Sequence, residues 1–177
     1  LAAFCAGDRA YGWWQAEAWA GKTALIAWFA LHPPAGTDIA AFFIAAGLAG
    51  QSDSDAFLEA MAEQLTALAG RPPGAPATTA VRRGRWLELL GAAAEQCRSA
   101  GRRLVLLLDG LDEDTGPLTG KQSIASLLPR HPPEGLHIVV TSRVDRELPR
   151  DVPLDHPLRG CRPDRIPVSA EAHDVEL

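Results

Sequence analysis

The sequence predicts an α/β fold, a three-layer αβα sandwich with a mostly parallel central sheet. The first observation behind this prediction is that strand-like and helix-like segments alternate along the chain, which is the pattern of a parallel sheet flanked by helices. The second is that residues 104–108 are five consecutive aliphatic side chains, which is typical of a strand buried on both faces. The 177 residues, 47% hydrophobic and 22% charged, are enough for one such core.

Four strands are predicted, near residues 12–15, 39–44, 104–109 and 137–143. The first is aromatic, the third is aliphatic and the fourth is rich in β-branched side chains, and these compositions favour strands. The carboxyl ends of parallel strands share one edge of a sheet, and ligands bind at that edge. We expect the third and fourth strands to lie close to the first.

Apolar residues at helical spacing predict the helices that connect these strands. The first helix ends near residue 31, before Pro33 and Pro34. A short helix around residues 123–128 ends before Pro129. Two longer helices each have one apolar face, formed by Phe57, Leu58, Met61, Leu65 and Leu68 in one helix and by Trp86, Leu87, Leu90, Ala94 and Cys97 in the other.

Residues 1–10 are expected to form a helical lead-in, and residues 11–177 a single domain. The chain does not begin with methionine, so we expect it to be a fragment of a longer multidomain protein. Residues 144–164 are rich in proline and arginine and are expected to be irregular. A short last strand is expected at residues 165–168, and its proline indicates an edge position or weak pairing. Ser169 is expected to cap a final helix.

A run of acids follows the aliphatic strand: Asp109, Asp112, Glu113 and Asp114. Carboxylates at the mouth of an apolar strand are costly to bury without a positive partner. A metal ion bound to phosphate is one such partner. The segment is therefore a candidate Walker B element, in which Asp109 holds the magnesium of a nucleotide. The alternative is an acidic loop after a buried strand, which is a common arrangement.

A second element lies upstream, where Ala20, Gly21, Lys22, Thr23 and Ala24 follow one another. It stands between a predicted strand and a predicted helix, which is the context of a phosphate-binding P-loop. The backbone N–H groups of these residues would face the phosphates at the start of the helix. Lys22 would reach the outer phosphates, and Thr23 would place its hydroxyl on magnesium. Taken alone, the Gly-Lys-Thr sequence also fits an ordinary helix start.

This loop departs from the full pattern G-x-x-x-x-G-K-[ST], which falls on residues 16–23. Ala16 replaces the first glycine, and Trp19 stands where many P-loops have another. Glycine reaches positive φ at low cost, so Ala16 would carry about 1–3 kcal/mol of strain if its φ is positive. We expect the bulky Trp19 to point away from the phosphates. Both departures bear on nucleotide affinity and turnover more than on the fold.

The strand at residues 137–143 ends in Thr141, Ser142 and Arg143. At the carboxyl edge of a parallel sheet, Arg143 would lie where a ligand binds. There it would sense the terminal phosphate or pair with the acids of the Walker B segment. The alternative is a surface arginine at the end of a strand.

Together these motifs resemble the NACHT-type branch of the STAND P-loop ATPases, which is similar to the AAA-type ATPases and includes many bacterial signalling and defence proteins. The resemblance rests on Ala-Gly-Lys-Thr at residues 20–23, Leu-Leu-Leu-Asp-Gly-Leu-Asp-Glu at 106–113 and Val-Val-Thr-Ser-Arg at 139–143. In that family a small residue follows the magnesium-binding aspartate and a pair of acids comes shortly after, as in the second of these segments.

The resemblance implies a P-loop NTPase that binds ATP or GTP with Mg²⁺ and hydrolyses it slowly as a switch. Thr23 and Asp109 would then hold the magnesium. Asp112 or Glu113 would orient the attacking water, and Arg143 would report which nucleotide is bound. The resemblance also implies self-association in the triphosphate state, or contacts with other domains of the same protein.

Two other functions remain open from the sequence. One is a scaffold or interaction domain whose altered loop binds nucleotide weakly or not at all. The other is a small-molecule P-loop kinase, which needs an acceptor pocket and an arginine-bearing lid. Residues 144–164 contain arginines but no clear lid helices. Separate measurements of nucleotide binding and turnover would distinguish the switch from the scaffold.

Composition excludes several other classes. The net charge of −5 argues against direct binding of nucleic acid through phosphate neutralisation. The sequence contains no run of 18 apolar residues, so no membrane span is expected. Cys5, Cys97 and Cys161 are far apart and have no metal-ligand or disulfide spacing, which suits a reducing cytoplasm.

Overall fold

The computed structural model describes residues 1–48, 50–73 and 77–166. Within them, five strands form one sheet: β1 (Tyr11–Ala16), β2 (Thr37–Phe43), β3 (Arg103–Asp109), β4 (Leu136–Arg143) and β5 (Asp164–Arg165). The α-helices of the same residues are α1 (Ala2–Ala6), α2 (Lys22–Leu31), α3 (Ser54–Leu68), α4 (Thr79–Ser99), α5 (Ile124–Leu127) and α6 (Pro157–Gly160). Two 3₁₀ turns, Leu111–Glu113 and Gly116–Thr119, follow β3.

The strands lie in the order β2-β3-β4-β1-β5, and each described pair is parallel. The register places Phe43 of β2 beside Asp109 of β3 and Ala16 of β1 beside Arg143 of β4. The carboxyl ends of the four longer strands therefore form one edge. This sheet, with helices on both of its faces, confirms the predicted α/β fold.

The side chains of β3 alternate between two apolar layers, as the period of a strand requires. Leu104, Leu106 and Leu108 face a core shared with α3, α4 and α5. Val105 and Leu107 face a smaller core shared with α1 and α2. All five side chains are fully buried. The uninterrupted aliphatic run in the sequence thus reflects a central strand covered on both sides.

Local sequence signals explain the starts of the two long helices. Asp53 caps α3 by accepting from the N–H groups of Asp55 and Ala56, and Thr78 caps α4 by accepting from the N–H of Val81. Short polar side chains at an N-cap satisfy donors that the helix leaves open. The apolar faces predicted for both helices are buried against the sheet at most of their positions, including Met61, Leu65, Leu90, Ala94 and Cys97. Leu87 is exposed.

The four predicted strands are confirmed, with ends that differ by one or two residues. The last strand differs more, because it occupies Asp164–Arg165 rather than residues 165–168. The remainder of that expected strand and the helix cap predicted at Ser169 lie outside the described residues. Residues 144–164 are mostly irregular, as expected, except for the single-turn helix α6. Among the described residues, no helix combines the length and the apolar character needed to cross a membrane.

Candidate functional site

The amino end of α2 and the carboxyl end of β3 meet at one point. Lys22, the first residue of α2, places Nζ 2.9 Å from Oδ1 of Asp109, the last residue of β3. Thr23 donates its hydroxyl to the other oxygen, Oδ2, at 2.6 Å. The two candidate motifs of the sequence therefore form one site, in which both oxygens of a single carboxylate are engaged.

Thr141 of β4 completes this cluster. Its hydroxyl donates to Asp109 Oδ1 and accepts from Lys22 Nζ at 3.1 Å and from the N–H of Gly110 at 3.1 Å. Thr141 is fully buried. The neighbouring Ser142 points the other way and accepts from the indole N–H of Trp13 at 2.9 Å. One hydroxyl thus links the ends of α2, β3 and β4.

The ion pair at the centre of the site is largely removed from water. The side chain of Lys22 is 12% exposed and that of Asp109 is 4% exposed. Two charges buried together gain attraction but lose hydration, so such a pair adds little net stability. Removal of one partner is costly, because the other charge then stays buried without compensation. An arrangement of this kind is better suited to a specific chemical task than to holding the fold together.

From the sequence we expect the Lys22 and Asp109 side chains to converge to within about 4–8 Å, the span of a phosphate group plus a magnesium ion. They meet within that distance and are in direct contact. The aliphatic stem of Lys22 is long enough to reach the carboxylate, and the hydroxyl of Thr141 supports its ammonium group from the other side.

A cleft of about 460 Å³ opens above this cluster. Gly21 is the N-cap of α2 with φ 75°, and because glycine has no side chain, it brings no acceptor of its own to the helix start. The first N–H groups of a ten-residue helix thus point into the cleft with the positive end of the helix dipole. The cleft is lined by residues 17–24 and by Asp112, Glu113 and Arg143.

The two departures in the loop have different structural consequences. Ala16 is the last residue of β1, is 2% exposed and pairs with Arg143 in ordinary strand geometry. Ala16 has no positive φ, so the strain that such a φ would bring does not arise there. The positive φ falls on Trp19 instead, at 66°, and this residue is fully exposed.

A second cluster lies at the rim of the cleft and consists of Arg143 with Asp112 and Glu113, the two acids that come shortly after Asp109 in the sequence. Asp112 Oδ1 accepts from the backbone N–H of Arg143 at 3.0 Å, and its Oδ2 lies 3.4 Å from Arg143 Nε. Glu113 places Oε1 3.6 Å from Arg143 Nη2 and accepts from the N–H of Ala46 through Oε2. The structure therefore brings all three residues together, with Asp112 at 4% side-chain exposure and Glu113 at 36%.

Gly110 is the small residue that follows Asp109, and its φ is 80°. A Cβ at this position would lie 2.8 Å from the carbonyl oxygen of Ile44. Ile44 in turn donates its N–H to the carbonyl of Asp109 at 2.8 Å. Glycine is required here both by the left-handed backbone and by the close approach of β2. This turn directs the chain from β3 into the acidic segment.

The fourth acid of the segment has a structural role. Asp114 accepts from the N–H groups of Gly116 and Ile124. Burial raises the pKa of Asp114 above its ordinary value, and these two backbone donors offset only part of that effect. Asp114 therefore fixes the path of the chain behind the site and does not line the cleft.

The donors at the site fit a magnesium ion held together with phosphate. Within residues 1–48, 50–73 and 77–166, no group of three or more histidine, cysteine or carboxylate side chains forms a metal cage. Magnesium is held in many nucleotide sites by one or two protein oxygens plus phosphate oxygens, rather than by such a cage. The Thr23 hydroxyl and the Asp109 carboxylate are oxygen donors of that kind, adjacent to each other and next to the cleft.

Every site residue predicted from the sequence lies at this cleft or at its floor. The residue that the prediction missed is Thr141, which was noted only as part of a strand end. Its signal was a hydroxyl at the carboxyl end of a strand that neighbours β3, and it could have been found by writing out the β3–β4 register.

A family model described as Nephrocystin 3, N-terminal, matches residues 5–143. This stretch runs from α1 to the last residue of β4, so it contains all the side chains of both clusters. No curated protein matches the sequence.

Proposed function

We propose that this chain, which belongs to the Nephrocystin 3, N-terminal family, is a magnesium-dependent nucleotide-binding domain of the NACHT-type STAND class. It takes ATP or GTP and acts as a slow NTPase switch within a signal-transduction or defence protein of the cytoplasm. The family match supports an architecture that this chain shares with the members of that family. The choice of nucleotide as ligand rests on the site.

The observation that carries the proposal is the contact of Lys22 and Thr23 with Asp109 at the cleft floor. A lysine, a hydroxyl and a carboxylate at a helix start are the groups that phosphoryl chemistry needs for outer phosphates and their metal. A purely structural site would have no use for an open helix start beside a buried ion pair. The start of α2, Lys22 and Arg143 all line the same cleft.

The chain's own groups divide the work of binding. The N–H groups of residues 21–24 and the ammonium of Lys22 bind the phosphates, whereas the N–H of Ala20 donates to the carbonyl of Glu17 at 3.3 Å. Thr23 and Asp109 are the residues that would hold magnesium. The metal, when bound, supplies neutralisation of the charge on the outer phosphates. Lys22 keeps its contact with Thr141 as an anchor while it faces the ligand.

Hydrolysis is assigned to the rim cluster. Glu113 is the better of the two candidate acids for orienting a water, because its carboxylate is more exposed and its contact with Arg143 is longer. Asp112 holds Arg143 through its main chain and its side chain. Arg143 is half exposed and stands ready to contact a terminal phosphate. A change of partner by Arg143 would report the state of the nucleotide to the protein's other domains or to a second copy.

A scaffold domain is the second candidate, and Trp19 is the observation that favours it. A bulky residue at positive φ in a phosphate-binding loop is strained, and such a loop would bind nucleotide poorly if the strain rose on binding. In that case the shape of the domain, rather than its chemistry, would be the functional feature. Binding and turnover must therefore be measured separately.

Isothermal titration calorimetry with ATP and GTP, with and without Mg²⁺, tests the proposal. The wild-type chain should bind at least one of them, and Lys22→Ala should abolish binding while circular dichroism shows the variant to be folded. Lys121→Ala is the matched control, because Lys121 is the chain's other lysine and pairs with Asp53 and Asp55 away from the cleft. Asp109→Asn should mainly weaken the magnesium dependence. A wild-type chain that binds no nucleotide at millimolar concentration would favour the scaffold.

A further inference from the structure

Trp19 is the most unusual residue of the cleft. Its φ of 66° lies in the left-handed region, which a bulky residue adopts only under strain. It is also fully exposed to solvent, although a tryptophan gains more than most residues from being covered. Two unfavourable features on one residue are expected where the residue serves a ligand.

The other residues that line the cleft offer no aromatic surface. Next to Trp19 the loop has Glu17, Ala18, Ala20 and Gly21, and the lining residues from outside this loop and α2 are the charged Asp112, Glu113 and Arg143. These groups suit phosphates, but a nucleotide also carries a flat, mostly apolar base. Among the described lining residues, Trp19 has the single aromatic ring on which that base could stack.

We propose that Trp19 contacts the base of the bound nucleotide by stacking its indole ring on it. The inference rests on the proposed function, since it places a nucleotide in the cleft, and it adds a specificity-determining residue to that site. Trp19 lines the cleft and remains fully exposed, so its ring is accessible to a ligand bound there.

Stacking has a clear consequence for specificity. Every base has a π face, so an indole discriminates weakly between adenine and guanine and favours the larger purines over pyrimidines through stacking strength. The sequence left the choice between ATP and GTP open. A stacking tryptophan predicts similar affinities for ATP and GTP and weaker binding of CTP and UTP.

Three variants of Trp19 separate the contribution of the indole ring to binding from that of the backbone strain. Trp19→Phe keeps a smaller ring, Trp19→Ala removes the ring but keeps a Cβ at positive φ, and Trp19→Gly removes the ring and also relieves the strain. Each is titrated with Mg·ATP and, in parallel, with magnesium tripolyphosphate, which carries the phosphates without a base. Trp19 lies outside the core, so each variant is expected to fold.

We expect Trp19→Ala to weaken ATP binding on the order of 10-fold, the usual effect of losing one base–aromatic stack, and to leave tripolyphosphate binding unchanged. Trp19→Phe should retain most of the ATP affinity, and Trp19→Gly should lose it as Trp19→Ala does. Equal losses for ATP and tripolyphosphate, or no loss for either, would overturn the inference while leaving the nucleotide site in place. If Trp19→Ala alters only self-association, the ring serves a second copy of the chain and the inference is wrong. A wild-type chain that binds neither probe refutes the proposed function itself.

Discussion

The ammonium of Lys22 donates to the carboxylate of Asp109 at 2.9 Å, across 87 positions of sequence. The contact joins the first residue of a helix to the last residue of a strand, and it lies at the edge where parallel sheets bind ligands. It turns two short motifs, each ambiguous in isolation, into one charged and nearly buried site.

Lys22→Ala should lower the free energy of unfolding by about 3–5 kcal/mol, because Asp109 would remain buried without its cation. The double variant Lys22→Ala with Asp109→Asn should recover most of that loss, since the buried charge is gone. Urea unfolding followed by circular dichroism measures both. Lys121→Ala should change stability little, as its ion pairs are on the surface. A single and a double variant of equal stability would show that the pair is not buried as described.

Gly110→Ala should destabilise the protein more than Gly120→Ala. Both glycines have positive φ, 80° and 74°, so both substitutions cost about 1–2 kcal/mol from the backbone alone. At Gly110 the new Cβ also meets the carbonyl oxygen of Ile44 at 2.8 Å, whereas at Gly120 it meets nothing within 4 Å. The difference between the two unfolding free energies isolates the close approach at the site. Equal effects would mean that β2 moves aside freely.

Glu113→Gln should keep nucleotide binding and slow hydrolysis by roughly 10²–10⁴-fold, as expected for loss of a general base. Asp112→Asn is the paired variant, of similar shape, and should mainly loosen Arg143, because Asp112 holds that residue through two contacts. Phosphate release under saturating Mg·ATP measures the rates. If a measurable wild-type rate is unchanged in both variants, the acids serve only as an anchor for Arg143.

His156 makes stability depend on pH below its ordinary pKa. Burial lowers the pKa of His156, against a smaller opposing effect of its hydrogen bond to the Leu128 carbonyl. The neutral ring accepts from the N–H of Leu158 and caps α6. The folded pKa is thus below the unfolded value of 6.5, so this stability is fully present above pH 6.5 and is lost as the pH falls through the folded pKa.

The comparison of wild type with His156→Asn checks this sign. Asparagine can cap the same helix without titrating. Between about pH 7.5 and pH 5, the range of histidine titration, the melting temperature of the variant should therefore fall less than that of the wild type. Carboxylates of lowered pKa, such as Asp53 and Asp151, titrate below this window. A wild type that loses no more stability than the variant would show that His156 is accessible to protons in the fold.

Local patterns predicted most of this fold because the composition and spacing of side chains within each segment indicate a strand or a helix. The aliphatic run before Asp109 needs two covered faces, and the spacing of Phe57, Met61 and Leu65 needs a helix. The predicted site residues also converge as expected, since motifs at a helix start and at strand ends must share one edge of a parallel sheet.

What the sequence missed depends on contacts between distant segments. The bridging role of Thr141 follows from the β3–β4 register, which no local window contains. The ordinary strand geometry of Ala16 depends on where β1 ends, and that end is set by pairing with β4. His156 lies in the segment 144–164 that was expected to be irregular, but it is 2% exposed because its ring packs against Tyr11.

The claim that nucleotide phosphates bind at the junction of α2, β3 and β4 is tested most directly by amide chemical shifts of ¹⁵N-labelled protein during titration with Mg·ATP. The account predicts that the largest changes fall on the amides of residues 20–24, with smaller ones at Gly110 and Arg143. It also predicts that Lys22→Ala removes them. Saturating shifts confined to another cavity, such as the one lined by Leu1, Leu25 and Ile166, or no shifts at millimolar nucleotide, would contradict it.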